Sequence, residues 1–124
     1  MNAQAKYRGR LPQQAGKLFL TDGGMETTLI YHDGVDLPCF AAFTLLKTPE
    51  GVERVRGYYA RYATMAQRAG LGFILESPTW RANADWGEKL GYSPTDLAAV
   101  NRQAISLMVE MRDRFETPQT PLVI

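Results

Sequence analysis

Three short, almost wholly apolar bursts punctuate the chain at nearly even spacing, and a helix-like pattern leads into each of the last two. The bursts are Lys17-Leu18-Phe19-Leu20-Thr21-Asp22, stopped by Gly23-Gly24, then Leu71-Gly72-Phe73-Ile74-Leu75-Glu76, then Leu122-Val123-Ile124. Apolar runs without alternation suit strands covered on both faces, as in parallel sheets. Parallel neighbours need a long crossover between them, usually a helix. The pattern therefore restricts the chain to an α/β fold of order strand, helix, strand, helix, strand.

The helices are signalled at both ends. Thr48-Pro49-Glu50 supplies a capping hydroxyl, a proline at the first helical position and an acid in the first turn. Val52, Val55, Tyr59, Tyr62, Ala66 and Ala69 follow at steps of three and four, and Gly70 supplies the stop. Ser93-Pro94-Thr95-Asp96 opens a second helix with an acidic relative of the capping box. Leu97, Val100, Ala104, Leu107, Met111 and Phe115 form its buried face, and Pro118 and Pro121 lie beyond its end. Residues 23–47 and 79–92 read as irregular, the first with a short helix around Met25–Tyr31. A loop that long inside a compact domain is usually functional.

Successive strands begin at Leu18, Gly72 and Leu122, so one strand-plus-helix unit takes roughly 50 residues, and eight would fall within the range of a (β/α)8 barrel. Three such strands cannot close a barrel. Residues 17–124 are thus expected to be the N-terminal portion of a (β/α)8 barrel cut at its third strand, and 1–16 a flexible arm.

Composition narrows the function. A formal net charge of +1 gives no footprint for nucleic acid or a membrane surface. No run approaches the ~20 apolar residues of a membrane span. The segment Met1–Lys17 is polar, with Lys6, Arg8, Arg10 and Lys17 and no acid, unlike a secretory signal, so a cytoplasmic location is expected. The single cysteine, Cys39, excludes an internal disulfide and any zinc site needing two cysteines from this chain.

In parallel α/β folds chemistry gathers at the C-terminal ends of the strands. Two polar clusters fall there, Thr21-Asp22-Gly23-Gly24 and Glu76-Ser77-Pro78-Thr79-Trp80-Arg81. Asp22 reads either as a turn-forming acid beside two glycines or as the acceptor of a ligand ammonium, with Gly23 and Gly24 exposing amides to an anionic group. Glu76 reads as a pocket acid or as the partner of an arginine such as Arg81. Ser77 and Thr79 either hold the turn around Pro78 or donate to a ligand. His32 is expected to be a solvated loop residue and Cys39 a small buried hydrophobe. Tyr58, Tyr59 and Tyr62 fall on the helix's packing face, and Trp80 and Trp86 could line a pocket. Neither GxGxxG nor a lysine-containing phosphate loop occurs.

With those residues in view, the chain from Leu18 to Ile124 resembles the N-terminal part of the homocysteine S-methyltransferase family. The likeness lies in LTDGGMETTLI (20–30), DLPCFAAFTLL and TPEGV (36–52), AGLGFILESPTWRAN (69–83) and VNRQAISL (100–107). It implies a homocysteine-binding (β/α)8 barrel that transfers a methyl group from a small donor to the homocysteine thiol, giving methionine. It also implies zinc held by three cysteines, which lowers the thiol pKa. Carried over by position, Asp22 and Gly23 become homocysteine-binding residues, and Glu76, Ser77 and Thr79 pocket-lining residues. Cys39 matches none of the zinc cysteines, so the resemblance assigns this chain no metal ligand and no catalytic residue. On this reading a full-length parent is an enzyme and the 124-residue chain alone is inactive. The alternative is a barrel relative or fragment that binds a thiol or amino acid without methyl transfer.

Overall fold

The computed structural model describes residues 5–124; of the arm expected over 1–16, residues 1–4 lie outside them. The chain runs β1 (Phe19–Thr21), α1 (Met25–Thr27), α2 (Pro49–Ala69), β2 (Gly72–Ile74), α3 (Ala84–Lys89), α4 (Pro94–Phe115) and β3 (Leu122–Val123). The strands form one parallel sheet in chain order, β1-β2-β3. With α2 and α4 as crossovers this is an α/β fold compatible with a partial (β/α)8 barrel. No helix among the described residues is long and apolar enough to cross a membrane.

Both long helices form where their end signals stand. The Thr48 hydroxyl accepts from the Gly51 amide at 3.0 Å. At the other end Gly70 turns left-handed at φ 65°, and the amides of Gly70 and Leu71 return to the Gln67 and Ala66 carbonyls, closing a Schellman cap. At α4, Ser93 and Asp96 cap each other: the Asp96 amide donates to Ser93 Oγ at 3.1 Å and the Ser93 amide to Asp96 Oδ2 at 2.9 Å. Aspartate thus completes the box that more often uses glutamate.

Leu20, Phe73 and Leu122 stand level across the sheet. Phe73 and Leu122 are wholly buried, together with Val55, Tyr58, Tyr59, Ala63 and Ala66 of α2 and Ala104, Met108 and Met111 of α4. Beside them, the Phe19 ring occupies the space over Gly72, where a Cβ would lie 2.3 Å from it.

The two stretches read as irregular hold more structure than their sequences advertise. Within 23–47, α1 runs into a π-type turn, Thr28–His32, and 3-10 turns follow at Pro38–Phe40 and Ala42–Lys47. The last buries Ala42, Phe43 and Leu46. Within 79–92, α3 forms because the Asn83 side chain accepts from the Trp86 amide at 3.2 Å and Gly87 lets Leu97 close onto the helix. Cys39 corrects an expectation: it is exposed, because the turn carrying it places Cys39 and Phe40 both at φ 55°, in the left-handed region, instead of in the core.

From residue 5 the arm runs as turns and one short 3-10 helix, Pro12–Gln14. Its Lys6 and Tyr7 side chains donate to Glu116, which also accepts from the Leu122 amide at 2.9 Å. Burial raises the Glu116 pKa, but the donations from Lys6, Tyr7 and the Leu122 amide outweigh it and hold the carboxyl below its ordinary range. A depressed folded-state value stabilises the fold above the unfolded-state pKa and is lost as pH falls through the folded value. Glu116→Gln should therefore cost about 1 kcal/mol at pH 7. In urea melts that difference should shrink through the acid range and vanish once wild-type Glu116 is protonated.

Candidate functional site

The ends of β1 and β2 open into a cleft of about 320 Å3 lined by Asp22, Gly23, Met25, Glu26, Tyr59, Glu76, Ser77, Pro78 and Trp80. It lies at the C-terminal ends of parallel strands, where the sheet stops and the turns diverge. Four residues singled out in the sequence, Asp22, Gly23, Glu76 and Ser77, meet here from segments far apart in the chain. Thr79 reaches the cleft through Ser77, the two hydroxyls being 2.6 Å apart.

Helix α2 braces both strand ends from behind. Tyr58 Oη donates to Asp22 Oδ2 at 2.8 Å, and Tyr59 Oη donates to the Glu76 carbonyl. Burial first, and then the charges of Asp22, Glu26 and Glu76, push the Tyr59 phenol above its ordinary range. Three carboxylates and no basic side chain line the cleft, so its field favours a cation such as an ammonium. An anionic group would have to be met by backbone amides, and Gly23 is where the wall is bare. A Cβ on Gly23 would lie 2.8 Å from Tyr62 Oη.

Arg81 goes to Cys39 instead of Glu76. Its Nη1 donates to the Cys39 carbonyl at 2.7 Å, and its guanidinium sits 4.3 Å from the Trp80 ring centroid and 4.0 Å from that of Trp86. This stack ties the strained 38–40 turn to the rim of the cleft. Trp80, 64% exposed, remains open toward the cleft mouth. His32 is exposed, as expected of a loop residue. No group of three histidine, cysteine or acidic side chains among the described residues could hold a metal ion.

The bracing role of Tyr58 and Tyr59 is the part that sequence reading missed. Their spacing marks them as core, and nothing in a helical pattern announces that a buried ring carries its hydroxyl to a strand end.

Compared with known proteins, residues 19–124 match a family model described as homocysteine S-methyltransferase. No curated protein and no solved structure matches the chain.

Proposed function

The chain belongs to the homocysteine S-methyltransferase family, and from that premise we propose that the acid-lined cleft binds the amino-acid end of homocysteine for methyl transfer to its thiol. The observation that carries this reading is the convergence of Asp22, Gly23, Glu76 and Ser77 on one cleft at the strand ends. In this reading the three strands are the first part of a (β/α)8 barrel, a fold whose reacting centre lies on this face.

Each residue has a share. Asp22 accepts from the ammonium, a charge-assisted bond in a half-buried setting. The Gly23–Gly24 backbone offers amides to the α-carboxylate. Glu76 strengthens the field that favours the ammonium, and Ser77, backed by Thr79, donates to the same end of the ligand. Anchoring that end fixes where the sulfur can lie, which is how binding energy serves a displacement reaction. The reaction forms the S–CH3 bond of methionine and releases the demethylated donor.

Methyl transfer also needs the thiol as a thiolate, which cysteine-bound zinc would supply in this family. The described residues do not fit such a site: the sequence has one cysteine, exposed on a strained turn, and no three metal-binding side chains stand together. What these residues contribute is recognition and orientation of the amino acid.

The test is an NMR titration with L-homocysteine, following the Gly23 amide. Wild-type protein should show saturable shifts at Gly23, and Asp22→Asn should weaken the affinity about tenfold. Equal affinity in the variant would overturn the assignment of Asp22. No saturable shift at Gly23 with L-homocysteine would overturn the reading of the cleft as its binding site.

A further inference from the structure

Tyr58 is about 1% exposed and stands behind the cleft, where its hydroxyl reaches Asp22 of the lining. Its ring is fixed edge-on to Tyr59 at 5.4 Å and 76°, and tilted against Tyr62 at 5.2 Å. A ring held on two sides leaves its hydroxyl one place to point, and there it meets Asp22 Oδ2 at 2.8 Å. Burial, and then the Asp22 charge, keep the phenol protonated, so it is the donor. Asp22 itself follows β1 and precedes two glycines, a backbone that would leave a short acid free to turn.

We infer that Tyr58 is the positioning residue for Asp22: it occupies Oδ2 and leaves Oδ1 to accept from the ligand's ammonium. The inference rests on the homocysteine reading of the cleft and adds to it the group that sets ammonium recognition. Tyr58 touches no reacting atom and acts through Asp22. A carboxylate pinned by one donor loses less freedom when it meets a second, which is the general advantage of a supported binding group.

The experiment compares L-homocysteine with 4-sulfanylbutanoate, which keeps the thiol and carboxylate but lacks the ammonium. Both are titrated into wild-type protein, Tyr58→Phe, Tyr7→Phe and Asp22→Asn. Wild type should prefer homocysteine by about tenfold. Tyr58→Phe keeps the ring and should cut that preference to about threefold while leaving the affinity for 4-sulfanylbutanoate unchanged. Tyr7→Phe, which loses its hydrogen bond to Glu116 at the other end of the sheet, should keep the full preference. If Tyr58→Phe weakens both ligands equally, or leaves the preference intact, the positioning role is overturned.

Failure of the underlying reading looks different: Asp22→Asn would then retain the preference for homocysteine. A measurement on wild type alone guards against a misfolded variant. Homocysteine should slow solvent exchange of the Tyr58 hydroxyl proton, and an unchanged rate would also overturn the inference.

Discussion

Replacing Gly51 by alanine should destabilise the protein by about 3 kcal/mol, against the ordinary preference of helices for alanine. Gly51 lies in the first turn of α2, and a Cβ there would stand 1.9 Å from the Leu45 carbonyl oxygen and 2.7 Å from its carbon. The obstacle is backbone, so no rotamer change relieves it. Leu45 belongs to the 3-10 turn that buries Phe43 and Leu46, so moving it disturbs the core. The Gly51 amide also makes the Thr48 cap, which a shifted helix start would lose. Gly57, on the same helix, has open space around its Cβ position and serves as the control. Gly57→Ala should be neutral or stabilising by up to about 1 kcal/mol. Urea denaturation of the two variants side by side checks both signs.

A second large loss is expected from Phe73→Ala, about 3 to 5 kcal/mol. Phe73 is fully buried in the central strand, level with Leu20 on one side and Leu122 on the other. Both neighbours lose their common contact when the ring goes, and a cavity opens where helix and sheet meet. Against a total of about 5 to 15 kcal/mol for a domain this size, such a loss is a large fraction. Phe73→Leu, which refills part of the space, should recover about half of it. Thermal melts of both variants test the expectation.

How much could be read beforehand depended on whether a feature is set locally. The cap residues Thr48, Gly70, Ser93 and Asp96 act on amides and carbonyls within a few positions, so they mark α2 and α4 directly in the sequence. The apolar bursts likewise mark the strands, although cover on both faces was expected and only β2 and β3 are largely buried: β1 is half-buried to exposed, and Leu18 before it is 73% exposed. Asp22 and Glu76 could be placed on one rim because parallel strands put their ends on the same side. Other features depend on contacts between distant segments. Helix α3 needs Gly87 against Leu97, and Cys39 is held outside by a turn whose carbonyl is taken by Arg81, 42 residues on. Neither pairing leaves a periodic trace. The hydroxyls of Tyr58 and Tyr59 were hidden for the same reason: the pattern locates the rings, while their polar ends follow from where the strands terminate.

The Lys6–Tyr7–Glu116 fastening sits just before β3 begins, at the N-terminal ends of the strands, whereas the cleft lies at their C-terminal ends. The candidate cleft and the anchorage therefore occupy opposite poles of the sheet and share no side chain. Substitutions at the two poles should combine additively. Such a layout lets ligand preference drift through changes at one pole while the other goes on supplying stability.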